Sequence, residues 1–117
     1  MMGVYSDVMI TLDKHLDELF RQKADPALVE LLDSADVKRE SERSFRYDFT
    51  KVKWYEDDED SIECRFHELL EKLDPAGQHY NIWKFTSEYM YDGYSPLDRW
   101  GSHYDPDLYP KFHYRWE

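Results

Sequence analysis

Residues 45–74 read FRYDFTKVKWYEDDEDSIECRFHELLEKLD, and this stretch joins a strand-like run to a helix-like run through a block of acids. Aromatic and polar residues alternate over positions 45–49, which predicts a strand with one apolar face. The apolar face then changes, so that Val52 belongs to the opposite series. Either a β-bulge near Thr50-Lys51 or burial of the strand on both faces explains the change.

A helix is predicted over residues 61–73, because apolar residues recur at the spacing of one helical face. Asp58, Asp60 or Ser61 can cap its start, and the run from Asp74 to Gly77 contains the Pro and Gly that end it. The apolar residues of this helix are Ile62, Phe66, Leu69, Leu70 and Leu73.

The remaining segments complete an α+β pattern. Two further amphipathic helices are predicted, at residues 12–20 and from Asp25-Pro26 to residue 35. Residues 36–43 indicate a solvated loop or a frayed helix end, and residues 91–110 a long loop. Strands are predicted at residues 4–12, 45–54, 80–89 and 111–116.

We therefore expect a single domain over residues 1–117, with a mostly antiparallel four-stranded sheet and two or three helices on one face. The other face is expected to be aromatic and partly open. The chain is 41% hydrophobic and 17% aromatic, which is enough apolar material for one core.

The net charge is −11 at pH 7, which disfavours binding to nucleic acid or to an anionic membrane surface. It favours a basic partner and an association rate that depends on salt. A single cysteine, Cys64, fits a reducing cytoplasm. No signal peptide and no membrane-spanning stretch is expected.

Five consecutive acids occupy positions 56–60. If the following helix extends backwards through them, some of these acids join those of the helix in one carboxylate stripe. Such a stripe can imitate successive phosphates or meet a row of Arg and Lys. The alternative is helix capping, because acids near a helix start stabilise it by about 0.3–1 kcal/mol each. The predicted acidic contact residues are Glu56, Asp57, Asp58, Asp60, Glu63 and Glu71.

Residues 89–104 read YMYDGYSPLDRWGSHY and contain several aromatic residues in a predicted loop. Tyr and Trp provide large contact areas in interfaces at low entropic cost. The alternative is that these rings close the open face of the sheet. The predicted aromatic contact residues are Tyr91, Tyr94, Trp100 and Tyr104.

The sequence predicts no catalytic residue, no cofactor and no metal site, and we expect the protein not to be an enzyme. Cys64 and His67 lie three positions apart on a helix, but the surrounding acids raise the pKa of a thiol. His103 and Asp105 are the pair whose convergence in a cleft would favour an enzyme. Glycine is too rare, at four residues, for a phosphate-binding loop.

Residues 45–74 resemble, as a class, small acidic proteins encoded by bacteriophages: a strand ending in KWY, an acidic turn and a short helix. The resemblance implies an inhibitor of the anti-CRISPR or anti-restriction type, which blocks the basic nucleic-acid-binding surface of a host defence nuclease complex in the bacterial cytoplasm. The expected partner is a basic host protein, without direct nucleic acid, and the inhibitor is a monomer or homodimer. An immunity protein or antitoxin against a basic toxin, and a small carboxylate and histidine enzyme, are the alternatives.

Overall fold

The computed structural model describes residues 5–86 and 97–108. In these residues three helices accompany a five-stranded sheet, which confirms the α+β class. The strand order is β2-β3-β1-β4-β5, and every neighbouring pair is antiparallel. The elements are β1 Ser6–Asp13, α1 Lys14–Lys23, α2 Pro26–Asp33, β2 Val37–Glu40, β3 Ser44–Val52, α3 Ile62–Leu73, β4 Tyr80–Thr86 and β5 Leu97–Gly101.

The strand β1 lies at the centre of the sheet, between β3 and β4. Its alternate residues Val8, Ile10 and Leu12 are fully buried beneath the helices. Met9 and Thr11 point to the opposite face and are also buried. Burial on both faces accounts for the uninterrupted apolar run Val8-Met9-Ile10 at the centre of this strand.

The β3 strand contains the β-bulge that the change of apolar face predicted. Ser6 pairs with Val52 but Val8 pairs with Phe49, so β3 has one extra residue at this point. Lys51 adopts a φ of 52°, and its backbone N–H donates to the carboxylate of Asp7. The bulge prediction is therefore confirmed.

Each helix begins at a side-chain cap that satisfies free backbone N–H groups. Asp13 accepts from Leu16 N, and Asp25 caps α2 directly before Pro26. For α3 the cap is Ser61, whose hydroxyl accepts from Cys64 N. The predicted start of α2 at Asp25-Pro26 is thus confirmed. Of the three residues predicted as possible caps of α3, Ser61 is the cap.

The helices pack on one face of the sheet, as predicted. Phe20 of α1 and Phe66 of α3 meet with ring centroids 5.1 Å apart, and Trp54 contacts Phe66 edge to face. All three rings are buried. The helical residues of this core are Leu16, Phe20, Leu28, Leu32, Phe66 and Leu70.

The predicted number of strands was wrong because two short strands lie in segments predicted as loops. Val37–Glu40 forms the edge strand β2, and Leu97–Gly101 forms β5. Every residue of β2 is exposed, so backbone pairing with β3 defines the strand and no apolar alternation marks it. The predicted strand at 111–116 and the end of the one at 80–89 lie outside the described residues.

Residues 102–108 cross the second face of the sheet, which carries polar residues as well as the aromatic residues that were predicted. His103 Nε2 is hydrogen-bonded to Ser44 Oγ at 2.9 Å, and the carbonyl oxygen of Leu108 accepts from Arg46 at 2.8 Å. Arg46 is only 4% exposed. This crossing supports the alternative in which part of the long loop covers the sheet.

None of the helices in the described part of the chain combines the length and the apolar character that crossing a bilayer requires.

Candidate functional site

The acidic run at 56–60 forms turns and not a backward extension of α3. Asp58 N donates to Tyr55 O and Ser61 N donates to Asp58 O. Asp58 also accepts from Asp60 N at 3.0 Å. Ser61 has extended dihedral angles, φ −84° and ψ 153°, so the helix cannot continue through it. The condition for one continuous carboxylate stripe, a helix that extends backwards through residues 56–60, is therefore not met.

Glu56 differs from its acidic neighbours because it is paired. Its carboxylate lies 2.8 Å from Lys84 Nζ, and the two side chains are only 15% and 13% exposed. Asp74, which follows the last residue of α3, is buried and accepts from His79 N. Neither residue presents uncompensated charge to a partner.

A cleft of about 310 Å³ lies where α3 meets the acidic turn and the β4–β5 pair. It brings together four residues that the sequence predicted separately: Glu56, Asp57 and Glu71 from the acids, and Trp100 from the aromatic segment. The residues lining the cleft are Glu56, Asp57, Cys64, His67, Glu68, Glu71, Tyr80 and Trp100.

Trp100 reaches the cleft because β5 is held close to β4. Gly101 follows it with a φ of 80°, and a Cβ atom there would lie 2.2 Å from the carbonyl oxygen of Tyr80. Only glycine fits this approach. The Trp100 ring then packs edge to face against His67, with centroids 4.7 Å apart.

His67 forms part of the cleft wall and is uncharged at neutral pH. Its Nε2 accepts a hydrogen bond from Trp54 Nε1 at 3.0 Å, which places the ring proton on Nδ1. Burial lowers the pKa of His67 to about 4, although Glu56 opposes the shift. The cleft therefore gains no positive charge from its histidine.

Sequence reasoning missed Glu68, which also lines the cleft. On a helical wheel Glu68 lies about 60° beyond Glu71, outside the predicted stripe. Only the position of Trp100 shows which sector of α3 faces the cleft.

Burial raises the pKa of the Cys64 thiol, and the negative charge of Glu68 raises it further. The thiol form is therefore favoured, as expected from the surrounding acids.

The other predicted residues do not line this cleft. Asp58 and Asp60 are exposed on the turn, and Glu63 is half-buried with Tyr55 N 3.4 Å from its carboxylate. Tyr104 lines a second cleft on the opposite face of the sheet, with Trp83. Tyr91 and Tyr94 lie outside the described residues.

Ion pairs in residues 5–86 and 97–108 are concentrated away from the acidic turn. Arg21 pairs with Asp17 and Asp33, and Arg46 pairs with Asp48. The other ion pairs within these ranges are Lys14–Glu40, Arg39–Asp48, Arg65–Asp25, His79–Asp13 and Lys84–Glu56. No described cation lies within ion-pair distance of Asp57, Asp58, Glu59, Asp60, Glu63, Glu68 or Glu71.

His103 and Asp105 both lie beside Ser44, but Ser44 and Asp105 are buried, so the two residues do not meet in an open cleft. His103 is bonded to Ser44, which is fully buried, and Asp105 accepts from the hydroxyl of Ser41 at 2.6 Å and from Asp107 N. These bonds fasten residues 102–108 to the sheet. Among the described residues, no three His, Cys, Asp or Glu side chains are grouped to hold a metal ion.

Comparisons of the chain with protein-family models, with curated proteins and with solved structures found no match.

Proposed function

We propose that this protein is an acidic, non-enzymatic inhibitor that binds a basic nucleic-acid-binding surface of a host defence nuclease complex. The inhibitor occupies the groove in which DNA or RNA would lie. Binding excludes the nucleic acid because the two compete for the same Arg and Lys side chains.

The observation that carries this proposal is the uneven distribution of ion pairs over the surface of the protein. In the described residues, Lys84 pairs with Glu56 and the other ion pairs involve acids outside the turn, so that residues 57–60 of the turn and Glu63, Glu68 and Glu71 of α3 have no ion-pair partner. Helix capping alone does not require this arrangement, because one residue, Ser61, already caps α3.

A localised negative surface has a kinetic consequence. It steers a basic partner into contact and can raise the association rate by about 10-fold to 1,000-fold. The effect weakens with salt, because the screening length falls from about 30 Å at 0.01 M to about 8 Å at 0.15 M ionic strength. A nuclease inhibitor gains from fast capture.

The test is charge reversal with a matched control. The variant Asp57→Lys/Glu59→Lys/Asp60→Lys alters the turn but keeps Asp58, which holds the turn through Asp60 N. The control Glu18→Lys/Glu30→Lys/Glu42→Lys reverses three exposed acids of α1, α2 and the β2–β3 connection. Both variants change the net charge equally.

The wild-type protein and both variants are used to capture partners from a bacterial lysate, and binding to the captured protein is then measured across a salt series. We expect the turn variant to associate at least about tenfold more slowly at low salt, and the control variant to lose much less. Equal behaviour of the two variants would remove the acidic turn from the mechanism. Capture of a ribonuclease toxin would replace the defence nuclease as the target.

A further inference from the structure

We propose that the cleft beside α3 is a socket for a single arginine side chain of the partner. This inference rests on the proposed function and names the group that the acidic surface recognises. The cleft is concave and has aromatic walls, so a ligand gains contact area there in addition to electrostatic attraction.

The size of the cleft suits one side chain. Its volume is about 310 Å³, at the lower end of the range of about 300–1,000 Å³ that ligand pockets span. One long side chain can enter while its backbone stays outside.

The walls of the cleft suit a flat cation. Trp100 and Tyr80 supply aromatic surface, and a guanidinium group stacks favourably on such rings. Trp100 is restrained by its edge-to-face contact with His67, so its ring is already positioned before a ligand arrives. Preorganised walls lower the cost of binding.

The charges of the cleft select a cation. Asp57, Glu68 and Glu71 line it without an ion-pair partner among the described residues, whereas Glu56 is already paired with Lys84. His67 is the one basic residue in the lining that the structure describes, and its Nε2 is occupied by Trp54 Nε1–H. Lys84 lies beside the lining but is paired with Glu56, so an entering cation meets the carboxylates of Asp57, Glu68 and Glu71.

Arginine fits this combination better than lysine. The planar guanidinium can stack on a ring and donate to two carboxylates at once, and it is more weakly hydrated than an ammonium group. A lysine ammonium is a strongly hydrated point charge that gains less from aromatic walls. A row of basic residues on a nucleic-acid-binding surface supplies the required side chain.

The experiment uses the whole protein and small probes, observed by NMR. N-acetyl-arginine methylamide is titrated, with the corresponding capped lysine and the neutral capped citrulline as controls. The readout is the indole N–H of Trp100, with that of Trp83 on the opposite sheet face as an internal reference. We expect binding on the order of millimolar, because one side chain lacks the rest of the interface.

Capped arginine should shift the Trp100 signal, capped lysine less, and capped citrulline hardly at all. The variant Glu68→Gln/Glu71→Gln should weaken arginine binding about threefold to tenfold, and the control Glu18→Gln/Glu30→Gln should not. All four glutamates are exposed, so we expect both variants to fold like the wild-type protein. Equal shifts from arginine and citrulline, or from arginine and lysine, would overturn the assignment.

The two proposals fail in different ways. If capped arginine leaves Trp100 unchanged while reversal of the acidic turn still abolishes partner capture, the socket is wrong and the inhibitor function stands. If capped arginine binds but reversal leaves capture unchanged, the socket stands and the inhibitor function is wrong.

Discussion

The His67 side chain shows how one buried ring links the core to the cleft. Its Nε2 accepts from Trp54, which packs on Phe66, and its ring makes a T-shaped contact with that of Trp100. Protonation would place a second proton on Nε2, where the Trp54 N–H already points. The neutral ring is therefore part of the packed structure.

We predict that His67 makes stability fall in mild acid. Its folded pKa is about 4, below the ordinary value of 6.5, so the unfolded chain binds the proton first as pH falls. The full stability is present above pH 6.5 and is lost progressively towards pH 4. One pKa unit corresponds to about 1.4 kcal/mol, so the loss between pH 6.5 and 5 is about 2 kcal/mol.

Urea unfolding at several pH values between 5 and 7 measures this loss. The variant His67→Gln is the control, because its amide oxygen can accept from Trp54 but does not titrate. Its stability should change little over this interval, where carboxylates remain ionised. Parallel curves for the two proteins would show that His67 is not the responsible group.

At the scale of elements, the start of α3 controls the shape of the acidic turn. Ser61 accepts from Cys64 N, and its own hydroxyl donates to Tyr55 O at 2.5 Å. One side chain thus joins the first turn of the helix to the end of the segment that follows β3. These two hydrogen bonds hold the turn in place, and the acids at positions 57–60 lie exposed on it.

We predict that Ser61→Ala lowers the free energy of unfolding by about 1–2 kcal/mol, since it removes the cap and the bond to Tyr55 O. Ser61→Thr keeps both bonds and should cost much less. Urea unfolding measures the stability, and amide hydrogen exchange of residues 62–65 reports the first turn. A loss of less than about 0.3 kcal/mol for Ser61→Ala would contradict the assigned cap.

At the scale of the whole molecule, two layers cover the sheet from opposite sides. Helices cover one face, and residues 102–108 cross the other. Arg46 secures the crossing, since its guanidinium pairs with Asp48 and donates to Leu108 O. This cation stabilises the fold and does not compensate the acidic surface.

We predict that Arg46→Ala destabilises the protein by about 2–4 kcal/mol, because it leaves a buried carbonyl and a carboxylate without their main donor. Arg39→Ala is the matched control. Arg39 is 47% exposed and lies 3.5 Å from the same Asp48, so its loss should cost less than about 1 kcal/mol.

Urea unfolding compares the two variants, and limited proteolysis shows whether the crossing segment opens. We expect faster cleavage within residues 102–108 for the Arg46 variant only. Equal stabilities of the two variants would mean that Arg46 does not secure the segment.

Much of the fold was predictable because the spacing of apolar residues along the chain reflects which side chains are buried. Ile62, Phe66 and Leu70 recur at helical spacing since one side of α3 rests on the sheet, and the bulge at Lys51 appeared as a change of face. The edge strand β2 was not predictable, because its pairing uses backbone groups and its exposed side chains carry no period.

The sequence by itself determined the α+β class, the three helices and the presence of a surplus of acids near α3. Only the tertiary structure decided which acids remain free, since Lys84 reaches Glu56 across 28 positions of sequence and Trp100 meets His67 across 33. Local patterns depend on neighbours along the chain. A cleft depends on contacts between distant segments, and these form only when the sheet is assembled.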